Sequence, residues 1–102
     1  MLFFDRSLPL YRNQFEKVMM SMLNKSAGSI VSGDGTIRVV TRPRGAQAEI
    51  EISDTGAGID VNGLATSDEW LDANQILKLH NGNISVNSSN NGSTFTIKLP
   101  LQ

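Results

Sequence analysis

Two segments with helical spacing and two pairs of alternating segments joined by turn signals predict an α+β fold. The expected architecture is a two-layer α/β sandwich, with helices on one face of a mixed, mainly antiparallel sheet. A helix is expected over 13–28, where Phe15, Val18, Met19, Met22, Leu23 and Ser26 recur at the three-and-four spacing of one buried face and Met20 falls off it. Asn13 offers an N-cap side chain and Gly28 a stop. Over 36–41, Ile37, Val39 and Thr41 alternate with Arg38 and Arg42 just beyond, and Pro43-Arg44-Gly45 supplies a turn. Over 47–53, Ala48, Ile50 and Ile52 alternate with Gln47, Glu49 and Glu51, so a basic strand should pair antiparallel with an acidic one. A glycine-containing loop should run from Gly56 to Thr66, before a second helix over 67–80 with Trp70, Ala73, Leu77 and His80 on one side. Asn81-Gly82 stops that helix, and strands over 83–88 and 93–99 flank the hairpin signal Asn90-Asn91-Gly92. Leu2, Phe3 and Phe4 suit a further short strand, interrupted by Pro9. The expected core is Phe15, Val18, Met22, Leu23, Ile50, Ile52, Ala73, Leu77, Val86, Phe95 and Ile97.

With 102 residues, 39% of them hydrophobic, the chain suits one domain spanning 1–102. Nine basic residues against ten acidic ones create no global field that would favour nucleic acid or an anionic membrane. The lack of cysteine excludes a disulfide framework and a thiolate metal site, and a single histidine argues against a histidine-rich one. No apolar run reaches the length of a membrane span, so this domain is expected to make no membrane contact and to sit in the cytoplasm.

Chemistry concentrates in Ser53-Asp54-Thr55-Gly56-Ala57-Gly58-Ile59-Asp60, which leaves an alternating strand. A carboxylate at a strand end can accept a hydrogen bond from a ligand amine, and glycines let backbone come close. The same residues also suit a polar turn in which Asp54 accepts from the following backbone amides.

In the order of its elements the chain resembles the superfamily of histidine-kinase-like and gyrase-type ATPases. Gln14 through Leu23 looks like the helix carrying that family's asparagine box. Ser53-Asp54-Thr55-Gly56-Ala57-Gly58-Ile59 resembles its first glycine box. Leu79-His80-Asn81-Gly82-Asn83-Ile84 and Gly92 through Pro100 resemble its closing helix end and final hairpin. The resemblance implies that Asp54 meets the adenine amino group while Gly56, Gly58 and Ile59 shape the pocket. It also implies departures. The family's magnesium-holding asparagine falls on Lys25, with Asn24 one residue early and so about 100° around the helix. Where a second glycine box would cradle phosphates, the chain reads Ala65-Thr66-Ser67-Asp68-Glu69-Trp70-Leu71, and the lid between the boxes is short. Lys25 is then the one cationic candidate for a phosphate, beside its simpler role as a solvated helix lysine.

The resemblance therefore implies a reduced domain of two-component-type signalling. It would act as a binding, regulatory or phosphotransfer-scaffold module with a protein partner such as a kinase or a response regulator. ATP or ADP would bind weakly and magnesium would lack its ligand; no catalytic residue is assigned. The alternative is a functional ATP-binding catalytic domain of a sensor histidine kinase. His80 matches a structural position at a helix end, and Trp70 reads as a core anchor.

Overall fold

The structure, a computed structural model, describes residues 12–28, 30 and 35–100. The possible strand at Leu2–Phe4 lies outside them. The elements run α1 (Arg12–Gly28), β1 (Ile37–Arg44), β2 (Gln47–Asp54), α2 (Val61–Ala65), α3 (Asp68–Leu79), β3 (Asn83–Ser89) and β4 (Gly92–Pro100). The strands form one sheet in the order β1-β2-β4-β3, and every described pairing is antiparallel.

Register explains the two layers. On the central pair, Ile52 stands opposite Phe95, Ile50 opposite Ile97 and Ala48 opposite Leu99, so alternation turns all six to one face. Phe15, Val18 and Met22 of α1 and Ala73 and Leu77 of α3 are buried in one cluster with Ile50, Ile52, Phe95, Ile97 and Leu99. Both helices therefore cover the same face, as the patterns predict. Trp70 lies against Phe95 with ring centroids 6.3 Å apart and half-buried, in keeping with an anchor role.

The expected core is corrected at two positions: Leu23 and Val86 are half-buried. Leu23 lies on the flank of the α1 stripe, and Val86 belongs to an edge strand. Ala48, Leu64, Ile84 and Leu99 are buried as well. At the other edge, Ile37 and Val39 share the apolar face yet remain 36% and 47% exposed, because α1 packs mainly over β2.

Several boundaries move for physical reasons. α1 starts at Arg12, which puts Asn13 inside its first turn and not at the cap. β1 continues through Pro43 to Arg44, since an edge strand tolerates a missing donor, and the turn narrows to Gly45-Ala46 with Gly45 at φ 62°. The expected loop after Gly56 contains α2, whose N-cap Asp60 accepts from the backbone N of Asn62 at 3.2 Å and which buries Leu64. The end of α3 follows the prediction closely. Asn81 takes the left-handed conformation at φ 59°, its N–H donates to the Lys78 carbonyl, and the Gly82 N–H reaches back to the Leu77 carbonyl.

The basic–acidic pairing of β1 and β2 also holds. Arg42 reaches Glu49 at 3.4 Å and Glu51 at 3.6 Å, and Arg44 reaches Glu49 at 3.7 Å. Covered by both arginines, Glu49 is buried although it points away from the core.

His80, buried at the end of α3, has its pKa lowered from 6.5 by desolvation, because burial penalises the charged imidazolium. Below pH 6.5 the unfolded chain takes up a proton that the folded chain resists. Stability contributed here is therefore full above that pH and falls as pH drops through the folded pKa. Urea midpoints at neutral and mildly acidic pH should show a larger acid loss for the native chain than for His80→Gln; equal losses would refute this role.

Candidate functional site

The site is built where β2 ends. Asp54 is its last residue, directly opposite Ser93 at the start of β4, and both are buried. The Asp54 carboxylate accepts from the Gly56 N–H at 2.9 Å and the Ser93 N–H at 3.3 Å through Oδ1, and from the Ser93 hydroxyl at 2.6 Å through Oδ2. A buried carboxylate so held is fixed in orientation. Thr55 extends the β1–β2 ladder by exchanging bonds with Thr36, its N–H donating to the Thr36 carbonyl at 3.1 Å and its Oγ1 accepting from the Thr36 N–H at 2.9 Å.

Two glycines let the loop and the β3–β4 hairpin meet. Gly58 has φ 96°, and a Cβ there would collide with the Ser89 carbonyl oxygen. Gly92 has φ 140°, and a Cβ there would collide with the carbonyl oxygen of Asp54. These glycines bring backbone close to the protein's own backbone. The Ile59 N–H then donates to Ser88 Oγ at 2.7 Å, while the Ile59 side chain packs half-buried against the core. The result is an open cleft of about 310 Å³, lined by Asp54 together with Asn87, Ser89, Asn91, Ser93 and Thr94 among others, rich in hydroxyl and amide groups.

Asp54, Gly56, Gly58 and Ile59 are thus one constellation. Lys25 stands apart from it. Its ammonium pairs with Glu69 Oε1 at 3.3 Å, joining α1 to the first turn of α3. The Glu69 carboxyl is held below the usual carboxylate range, first by its own backbone N–H and then by Lys25. Ser67 caps the same helix, accepting from the Trp70 N–H at 3.2 Å, and the Leu71 N–H donates to the Ser67 carbonyl at 3.1 Å. The first turn of α3, where a helix can offer donors to an anion, thus has donors taken up by the chain itself and carries Asp68 and Glu69.

Sequence reasoning missed Ser93 and Ser88. Alternation through Phe95 and Ile97 places Ser93 on the apolar face, and a hydroxyl there signals a buried polar partner. Ser88 gives the same signal two residues beyond Val86.

Over residues 13–102 the chain matches the family described as histidine kinase-, DNA gyrase B-, and HSP90-like ATPase, and it belongs to that family. No curated protein sequence matches it. Among solved structures, the histidine kinase domain of the Erythrobacter litoralis EL346 blue-light activated histidine kinase superposes with a TM-score of 0.74 at 15% identity, over 83% of this chain and 45% of that one. The catalytic domain of histidine kinase ThkA gives 0.77 at 14% identity, over 88% and 67%. The Acinetobacter baumannii histidine kinase AdeS gives 0.75 at 19% identity, over 89% and 47%. At these identities the shared property is the fold, and the chain spans under half the length of the first and third of these relatives. Among the described residues, no helix is long and apolar enough to cross a membrane.

An ATPase family implies ATP with magnesium. The constellation around Asp54 offers an oriented carboxylate beside an open polar cleft. Lys25 is engaged by Glu69, and the start of α3 is capped by Ser67. Among the described residues, no three His, Asp or Glu side chains converge as a metal cluster.

Proposed function

We propose that this chain is a reduced histidine-kinase-like domain, residues 1–102 forming one domain with a short lid, that serves two-component-type signalling as a binding, regulatory or phosphotransfer-scaffold module. The observation that carries this reading is the start of α3, where Glu69 engages the positive charge of Lys25 and Ser67 takes up backbone donors of Trp70 and Leu71. Phosphoryl transfer rests almost wholly on positioning and charge neutralisation, so a site without either does not support it. Asp54 holds the adenine group of ATP or ADP weakly, in a pocket shaped by Gly56, Gly58 and Ile59, without help from magnesium. The domain works in the cytoplasm against a protein partner, such as a kinase or a response regulator.

Asp54→Asn tests the adenine role. The amide keeps one acceptor oxygen but replaces the other with a donor, which disturbs both the Ser93 hydroxyl and an incoming ligand amine. Loss of the charge-assisted bonds should lower stability by about 1.5–3 kcal/mol. AMP binding, followed by NMR titration at a temperature where the variant remains folded, should weaken by about tenfold, equivalent to about 1.4 kcal/mol. Unchanged AMP affinity in folded Asp54→Asn would leave Asp54 as a turn residue only.

A further inference from the structure

The face of the sheet turned away from the helices carries a charge of its own. Alternation along β1 puts Arg38, Arg42 and Arg44 there, opposite Ser53, Glu49 and Gln47 of β2, and Lys98 of β4 stands opposite Glu49 from the other side. Among the described residues this face has two carboxylates, and both are engaged: Arg42 reaches Glu49 and Glu51, and Arg44 reaches Glu49. Arg38 and Lys98 have no carboxylate partner among the described residues, so two positive charges are left over. The rest of the face is hydroxyl and amide, with Ser53, Thr94, Thr96, Ser85 and Asn87 among its residues. On the opposite layer Asp68, Glu69 and Asp72 crowd the start of α3, so the domain is polarised although its net charge is only -1.

We propose that this helix-free face docks an extended acidic segment of a protein partner, lying along β1 over Arg38, Arg42 and Arg44 with Lys98 adding to the field from β4. The spacing selects an extended segment. Arg42 and Arg44 are two residues apart and Arg38 lies four before Arg42, which is about 6.6 Å and about 13 Å at the rise of a strand. Side chains on one face of an extended peptide repeat at the same interval, so a carboxylate at every second residue meets the line in step. Arginine takes a carboxylate through a fork of paired N–H groups. Glu49 already holds Arg44 through Nε, while the Arg44 side chain stays 58% exposed with donors to spare. Nucleic acid fits this face poorly. Glu49 and Glu51 lie among the arginines and repel a closely spaced run of phosphates, and the described aromatic rings, Phe15, Trp70 and Phe95, all pack in the core on the other face, leaving nothing for a base to stack on. None of the four cations belongs to the Asp54 cleft or to the Lys25–Glu69 pair. The inference rests on the proposed function only in taking a protein as the partner, and the outcome of a nucleotide titration leaves it untouched.

A synthetic peptide of alternating glutamate and threonine, titrated into the intact chain and followed by amide NMR shifts, tests the face without any variant. The shifts should concentrate in β1, β2 and β4, and the affinity should fall as salt is raised. Two double variants then separate this face from the charge of the whole chain. Arg38→Gln with Lys98→Gln removes the two cations that hold no carboxylate, and should weaken peptide binding about fivefold to tenfold at an unchanged melting temperature. Lys17→Gln with Lys78→Gln removes the same charge from exposed positions on the helices, and should leave the affinity within about twofold. A native chain that does not bind the peptide would overturn the proposal, as would shifts concentrated in the helices or equal weakening by the two double variants. Tighter binding of a uridine oligonucleotide, or of phosphatidylserine vesicles, than of the peptide would overturn it as well, by showing that the face answers to phosphate and not to spaced carboxylates.

Discussion

Leu77→Ala should destabilise the domain by about 2–5 kcal/mol, a large share of the roughly 5–15 kcal/mol available to a domain of this size. Leu77 is 1% exposed on the buried stripe of α3, in one cluster with Phe95, Ile97 and Ala73. Truncation removes its apolar transfer energy and leaves a cavity, because the facing strand residues are themselves locked in a register that runs from Asp54–Ser93 to Gln47–Pro100. Near the melting point each kcal/mol corresponds to about 4–8 °C, so the loss should be plain in a thermal scan. Urea unfolding should show a lower midpoint at an unchanged slope. A near-neutral result would mean that α3 presents a different face to the sheet.

The second large effect is expected at Gly92. Its φ of 140° is unfavourable for any residue with a Cβ, and that atom would collide with the Asp54 carbonyl. Backbone strain alone costs about 1–3 kcal/mol, and relieving the overlap means separating the start of β4 from the end of β2. The bonds from Ser93 to the Asp54 carboxylate span that junction. Gly92→Ala should therefore lose stability and disturb the cleft together. Gly28→Ala is the control, since a Cβ there meets nothing within 4 Å and the change should be neutral or gain about 0.4–1 kcal/mol. Equal stability of the two variants in urea would show that the tight approach at Gly92 carries no weight.

What the sequence made legible follows from the range of the forces involved. β2 and β4 alternate over eight and nine residues, and α1 repeats its apolar face over four turns, so local periodicity marks both layers. Asn81-Gly82 fixes the end of α3 by backbone chemistry within six residues. α2 escaped because five residues are too few to show a period, and Gly63 within it reads as loop. Pro43 hid the end of β1, because only the sheet order reveals that the strand is an edge. Half of the site was readable in the same way: Asp54, Gly56, Gly58 and Ile59 are neighbours in sequence. Ser93 and the Lys25–Glu69 pair were not, since both depend on partners 39 and 44 residues away that only folding brings together. The acidic Asp68-Glu69 was readable in the sequence, but the pairing of Glu69 with Lys25 was not.

The central claim is that the adenine end of the site survives while the phosphate end is occupied by the chain itself. Titrating the domain with AMP, ADP and ATP, each with and without magnesium, tests this most directly. The Lys25–Glu69 pair and the capped start of α3 predict weak binding of all three, AMP and ATP within a few-fold of each other, and no change on adding magnesium. Each tenfold preference for ATP would amount to about 1.4 kcal/mol of phosphate recognition. Tight, magnesium-dependent binding of ATP over AMP would contradict the account and identify a working nucleotide site.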